Sequence, residues 1–287
     1  GFKRLLITGD GERPYLTLNP DYVATIVHVF SEMYAQGYVY KGLKPIYWCA
    51  HCKTALAEAE VEYADHTSPS IYVKFPAVGL VPGLEGSVAF LIWTTTPWTL
   101  PANLAISLHP DYEYSAVRVG SETLIMASDL APAALAACSV TNYTVVKKFE
   151  GRELEGQKYR HVQFPERICP IVLGEHVTLD AGTGCVHTAP GHGQEDYVVG
   201  ARYGIGPFSP VDDAGVFTAE AGKYAGLMVT KANQPIIDDL KASGALLHAS
   251  KIQHSYPHCW RCTNPVIYRS TPQWFISMST GDLRRRA

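Results

Sequence analysis

Between Asp21 and Gln36 the apolar residues Val23, Ile26, Val27, Phe30, Met33 and Tyr34 recur at helical spacing and predict an amphipathic helix. Asn19 supplies a cap, Pro20 a first helical position and Gly37 a stop. Residues 1–20 read as loop, with Gly9, Gly11, Pro14 and Pro20. Tyr38–Tyr40 and Ile46–Trp48 read as short strands about a turn at Gly42. Ala55–Tyr63 alternates strictly, which places Glu58, Glu60 and Glu62 on one solvated strand face rather than in a catalytic triple carboxylate. Further strands are predicted at Ile71–Phe75, Val88–Trp93, Tyr112–Val119, Glu122–Ala127, Thr144–Phe149, Gly182–Val186 and Leu227–Val229. Helices are predicted at Ser128–Cys138, Glu195–Tyr203 and Asn233–Ser243. Strands outnumber helices, and no Gly-x-Gly-x-x-Gly follows a strand. The pattern predicts a mixed α/β, β-rich fold: a compact β-barrel with peripheral helices.

The chain has 287 residues, 47% apolar and 18% charged, enough to bury a sizeable core. No apolar run approaches the ~18 residues of a membrane span. The chain opens on Gly1 without a signal-peptide pattern and is expected to be a piece of a longer protein. A net charge of −3 argues against a long nucleic-acid groove, so RNA contact is expected only at one end. The basic cluster Arg284–Arg286 reads as a solvated helix end.

The seven cysteines are not a disulfide framework in a chain of this type. Four of them form Cys49-Ala50-His51-Cys52 and Cys259-Trp260-Arg261-Cys262. Each pair has zinc-knuckle spacing, and together they offer the four thiolates of a closed structural zinc site. The competing readings are a redox Cys-x-x-Cys and reduced bystanders. Zinc would act as a staple, holding the root of the long intervening loop closed. His51 and His258, next to these cysteines, read as exposed or supporting residues.

Two runs carry candidate chemistry. In the first, the apolar Val88–Ile92 ends in Trp93-Thr94-Thr95-Thr96-Pro97-Trp98-Thr99-Leu100-Pro101-Ala102-Asn103. Hydroxyls bracketed by tryptophans make a polar floor with apolar walls, suited to a small polar ligand. A plain threonine-rich strand edge fits the same residues. In the second, Gly182-Thr183-Gly184-Cys185-Val186-His187-Thr188-Ala189-Pro190-Gly191-His192-Gly193-Gln194-Glu195-Asp196-Tyr197 reads as strand, glycine-rich loop and helix. Glycines let backbone approach a ligand closely, and acids in a first helical turn are favoured by the helix dipole with or without a ligand.

The threonine-rich run resembles that of the editing domains of isoleucyl-tRNA synthetases, which are class I aminoacyl-tRNA synthetases. The valyl and leucyl editing domains typically carry an arginine between the threonines and the proline, whereas here Thr96 runs directly into Pro97. The second run resembles the other signature of the same site, with the spacing from His187 to Asp196 kept. Leu56–Tyr63, the knuckles and Thr271-Pro272-Gln273-Trp274-Phe275 resemble the flanks of that insertion, so nearly the whole chain is covered. Gly-Asp-Gly at 9–11 departs from the usual Gly-Asp-Trp. The resemblance implies a stem of residues 1–70 and 248–287, an editing domain of residues 71–247, and a cytoplasmic address.

By the same resemblance Asp196 holds the α-ammonium of an amino acid and His187 lines the side-chain pocket. Thr94, Thr95, Thr96, Thr99 and Asn103 surround the scissile ester and terminal adenosine. Trp93 and Thr183 lie close by, and His192 is a further candidate. The implied activity is hydrolysis of Val-tRNA(Ile), with valyl-adenylate as a pre-transfer substrate. The implied partners are the tRNA(Ile) acceptor end and the rest of the synthetase. Alternatives are valyl-type clearance of threonine and a non-catalytic module that binds the acceptor end. The adenylation motifs His-Ile-Gly-His and Lys-Met-Ser-Lys-Ser are absent from the sequence, so ATP use is not expected. No Gly-x-Ser-x-Gly is present, which favours attack by a positioned water. His187 near its ordinary pKa of about 6.5 could serve as base, or a tRNA ribose hydroxyl could assist.

Overall fold

The computed structural model describes residues 16–286; the expected loop features at Gly9, Gly11 and Pro14 lie outside them. The elements in order are α1 (Pro20–Ala35), β1 (Val39–Cys49), β2 (Thr54–Ala55), β3 (Val61–Val78), β4 (Ser87–Thr94), β5 (Ala105–Leu108), β6 (Glu113–Val119) and β7 (Glu122–Ala127). There follow α2 (Ala131–Ala137), β8 (Thr144–Glu150), β9 (Lys158–Arg160), β10 (Ile168–Leu173), β11 (Val186–Thr188), α3 (Gln194–Arg202), α4 (Val229–Ala242), β12 (Leu246–Cys259) and β13 (Ile267–Ile276). The described residues divide into two compact units: Lys44–Thr271, and the pieces flanking it.

In the flanking unit, α1 starts as its sequence predicts: the Asn19 side chain accepts from the Asp21 N–H at 3.3 Å, and Pro20 opens the helix. Its residues Ile26, Val27 and Phe30 are exposed.

Lys44–Thr271 is built on a ten-stranded mixed sheet ordered β11-β5-β10-β9-β3-β4-β7-β6-β8, with β12 added against β3. β4 pairs in parallel with β7, and β10 in parallel with β5. The apolar run in β4 is continuous because both faces of the sheet are covered. Phe90 and Ile92 point into one core with Ile71, Phe75, Leu100, Ile106 and Ile125. Ala89 and Leu91 point the other way, against Val117, Leu124 and Met126 and the α2 residues Ala134 and Leu135.

The mixed, β-rich character matches the expectation, but the expected barrel does not form. The sheet is an open path whose ends, β11 and β8, are not paired with each other among the described residues. Closure needs tilted strands with a consistent stagger. β3 runs eighteen residues and is shared among β4, β9 and β12, while β9 and β11 have three residues each. From Val61 to about Ser70, β3 leaves the sheet as a long antiparallel ribbon with β12 instead of curling round.

Four local expectations also shift. The two short strands expected about a turn at Gly42 are one continuous strand, β1. Glu58–Glu60 is a short 3₁₀ turn, not strand, and Glu60 Oε2 accepts from the Ala57 N–H at 3.0 Å. The strand expected at Gly182–Val186 begins only at Val186, because Gly182 and Gly184 have φ of +85° and +71°, incompatible with a ladder. Leu227–Val229 is not a strand: Met228 makes one bridge to Val216, and Val229 opens α4. A three-residue apolar run cannot be assigned by periodicity.

Phe90→Ala, in a fully buried position, is expected to destabilise the chain by about 3–5 kcal/mol, read as a lowered urea midpoint.

Candidate functional site

Both candidate runs reach one cavity of about 380 Å3. Trp93, Thr94, Thr95, Thr96, Thr99, Thr183, His187, His192 and Asp196 line it. Of the residues expected near the ligand, Asn103 alone is not in the wall; it lies fully buried behind His187.

The threonine run leaves the sheet at the end of β4 and winds into a 3₁₀ turn over Pro97–Ala102, all of it buried. Its backbone is held from several sides. The Trp98 N–H donates to Asn233 Oδ1 at 3.0 Å, and Arg167 Nη1 donates to the Pro101 and Asn103 carbonyls at 2.7 and 3.2 Å. The His161 Nδ1 accepts from the amides of Gln163 and Phe164, so its Nε2–H donates to the Leu100 carbonyl at 2.9 Å. Within the turn, Thr94 Oγ1 accepts from the Thr96 N–H at 3.1 Å, and the Thr99 hydroxyl donates to the Thr96 carbonyl at 2.9 Å.

The glycine-rich run approaches from the other side. Gly184 could not carry a side chain, because a Cβ would collide with the Ala127 methyl. The Thr183 carbonyl accepts from the Ala127 N–H and the Gly184 carbonyl from the buried Tyr114 hydroxyl, each at 2.8 Å. The loop is thus pinned to β6 and β7, and β11 carries His187 into the cavity.

His187 is buried, and burial with the nearby His192 lowers its pKa to about 3. Its Nε2 lies 2.9 Å from Thr99 Oγ1 and its Nδ1 2.8 Å from Asn103 Nδ2. An amide NH2 can only donate, so Nδ1 accepts and the proton sits on Nε2. Of the two candidates for activating a water, His187 has its basic lone pair at Nδ1 already engaged by Asn103. His192 also lines the cavity; its Nδ1–H donates to the Tyr268 carbonyl at 2.8 Å, and burial brings its pKa down to about 4.

Asp196 lies in the first turn of α3. Its Oδ2 accepts from the Ala189 N–H at 2.9 Å. Burial raises its pKa to about 6, against the lowering effect of that amide. Among the described residues no lysine or arginine pairs with it. His176 Nε2 is 4.0 Å from Oδ1, and burial lowers the His176 pKa, favouring its neutral form. Among the described residues the cavity thus holds a half-buried, desolvated carboxyl without a cationic partner.

His176, Thr178 and Asp180 also line the cavity and were not predicted. They lie in an irregular stretch after β10, which has no periodicity to mark it.

The four knuckle cysteines form a separate group. Cys49–Cys52 spans the β1–β2 turn, and Cys259–Cys262 the end of β12. The turns close with Lys53 and Thr263 at φ of 51° and 58°. The four sulfurs lie within 4.8 Å of one another, and Cys49 and Cys259 are fully buried. This cluster is suited to holding one metal ion.

The Asp196 carboxyl is expected to titrate near pH 6, ionising as pH rises, when followed by its ¹³C carboxyl resonance. A midpoint at an ordinary carboxyl value would remove the reading of Asp196 as a desolvated carboxyl.

The family model for class I tRNA synthetases (I, L, M and V) matches residues 1–287. The chain is 53% identical over 285 residues to an isoleucine–tRNA ligase of Petrotoga mobilis, covering 99% of this chain and 30% of that protein. It is 54% identical over 286 residues to the Thermotoga maritima enzyme, covering 99% of this chain and 31% of the relative. The chain thus spans under a third of these relatives' length. Among solved structures, GlLeuRS-CP1 superposes with a TM-score of 0.53 at 16% identity, covering 63% of this chain and 99% of that one. The Plasmodium falciparum cytosolic leucyl-tRNA synthetase editing domain gives 0.51 at 9% identity, covering 62% and 98%. At such identities the likeness establishes the fold alone. With the family model matched from end to end, this chain belongs to the class I tRNA synthetases (I, L, M and V), over a segment most of which has the fold of leucyl editing domains.

Proposed function

We propose that this chain is the editing segment of an isoleucine–tRNA ligase and hydrolyses valine wrongly esterified to tRNA(Ile). On this reading residues 71–247 carry the chemistry and residues 1–70 with 248–287 form the stem. The observation that carries the proposal is the half-buried Asp196 carboxylate, without a lysine or arginine partner among the described residues, facing a threonine ledge across one cavity.

Valine and isoleucine differ by one methylene, worth only about 1–3 kcal/mol of binding, a limit for which the isoleucyl enzymes are the standard illustration. A second pocket that admits the smaller side chain corrects the error. The α-ammonium of an aminoacyl ester is the cation Asp196 lacks, and a charge-assisted bond in a largely dry pocket is a strong anchor. The hydroxyls of Thr95 and Thr96, with Thr94 and Thr99 beside them, receive the ester and the terminal ribose. His187 forms a neutral wall toward the amino-acid side chain. Trp93, Thr183 and His192 complete the enclosure.

An aminoacyl ester is already activated, so positioning a water and stabilising the developing oxyanion supply much of what hydrolysis needs. With His187 Nδ1 occupied, a ribose hydroxyl of the terminal nucleotide is the better candidate to orient that water. Valyl-adenylate presents the same ammonium and an equally activated acyl group, and would use the same contacts. Ammonium binding weakens as pH falls through about 6, because the protonated Asp196 is neutral.

The cysteine cluster is assigned as a structural zinc site. Cys49, Cys52, Cys259 and Cys262 would hold the ion between the β1–β2 turn and the end of β12, and with four thiolate ligands it would supply a structural link and no position for substrate.

Asp196→Ala is expected to lower deacylation of Val-tRNA(Ile) at least a hundredfold, measured by release of labelled valine. Near-normal release would remove the ammonium-anchor role. Parallel threonyl and isoleucyl esters test the alternatives: preferred release of threonine indicates a valyl-type site, and acceptor-end binding without any release indicates a non-catalytic module. Elemental analysis is expected to find one zinc per chain, and its removal by chelation to lower the melting temperature. A metal-free chain of unchanged melting temperature would sink the staple.

A further inference from the structure

Behind the cavity wall lies a group of polar side chains that do not line it. Asn103 is fully buried, and every hydrogen-bonding position it uses is committed. Its Nδ2 donates to the Ala105 carbonyl at 2.9 Å and to His187 Nδ1 at 2.8 Å. Its Oδ1 accepts from the Tyr159 hydroxyl at 2.5 Å. Tyr159 is itself fully buried, and its ring meets Phe75 edge-on at 5.2 Å between centroids.

The orientation of this amide decides the chemistry of the wall in front of it. The Ala105 carbonyl can only accept and so favours the nitrogen on its side. The tyrosine hydroxyl donates to the oxygen on the other side. Together they exclude the flipped amide, which would set two oxygens against each other at Ala105. The fixed nitrogen then places a donor against His187 Nδ1 and forces the imidazole proton onto Nε2. The Nε2–H donates to Thr99 Oγ1, so the Thr99 hydroxyl is free to give its own proton to the Thr96 carbonyl. Direction passes unbroken from Tyr159 to the ledge.

We propose that Tyr159, a residue outside the cavity, is a positioning residue that sets the tautomer of His187 through Asn103, and with it the direction of the hydroxyls on the threonine ledge. In the opposite tautomer Thr99 would donate to Nε2, releasing the Thr96 carbonyl and turning the ledge's donors and acceptors around. The tautomer assignment is independent of the editing reading; only the effect on turnover rests on it.

The test is ¹⁵N spectroscopy of histidine-labelled protein at neutral pH, with the His187 signals identified by their loss in His187→Gln. Wild-type protein is expected to show His187 protonated at Nε2 only. Tyr159→Phe keeps the ring and removes the donor, which leaves a buried amide oxygen unpaired and lowers the barrier to the flipped amide. It is expected to show a mixture of tautomers, and about a tenfold loss of kcat for Val-tRNA(Ile) at little-changed KM, the scale of one lost buried hydrogen bond. Asn103→Asp is the second variant: in this fully buried position the carboxyl is expected to stay protonated, giving its O–H to the Ala105 carbonyl and presenting acceptors to Tyr159 and His187, so a proton is expected on Nδ1. A pure Nε2–H signal in both variants would overturn the proposal. Tautomer shifts in a protein whose wild type releases no amino acid would support the assignment and count against the editing reading instead.

Discussion

A polar loop carried into an apolar core must find a partner for each donor and acceptor it brings. The run from Thr94 to Asn103 is such a loop. It leaves β4 between two apolar layers and turns through a buried 3₁₀ segment. Its carbonyls are taken by Arg167 and His161, its Trp98 amide by Asn233, and its side chains by one another and by His187. Those partners come from the 160s, from α4 and from β11, so satisfying one short loop ties together most of the compact unit around the cavity.

The exception is Asp196. Among the described residues its carboxylate receives one amide and no lysine or arginine, and desolvation outweighs that amide and raises its pKa to about 6. A group left in this state costs stability in the empty protein and favours a ligand that brings the missing positive charge. His187 and His192 are the opposite case, imidazoles held neutral by burial with at least one nitrogen committed to a fixed partner. Apart from the exposed Asp180 at its wall, the cavity thus has one acidic contact, Asp196, and otherwise a wall of uncharged polarity, which suits recognition by position and size.

The sheet's failure to close has a related consequence. Because β3 runs on past the sheet as a ribbon with β12, the two cysteine turns come to the same end of that ribbon, where Cys259 pairs with Val61. The open sheet thus keeps the cysteine cluster apart from the threonine cavity within one compact unit.

Much of this was legible in the chain itself. The helical stripe from Val23 to Tyr34, the strands at β4, β6 and β7 and the paired cysteine spacings are local patterns, and local sterics and periodicity determine them. The threonine and glycine-rich runs stood out by composition, and the structure brings them to one cavity. Other features depended on partners distant in sequence. Strands β5, β9 and β10 are short and fully defined only by their neighbours, and the barrel expectation failed because strand sharing along β3 leaves no trace in periodicity. The same holds for His176 and Asp180, and for the protonation of His187. A side chain's type can be read from sequence, but its tautomer and charge depend on which groups surround it once water is excluded. Tyr159, 56 residues from Asn103 along the chain, acquires its part only when the fold sets its hydroxyl 2.5 Å from that amide.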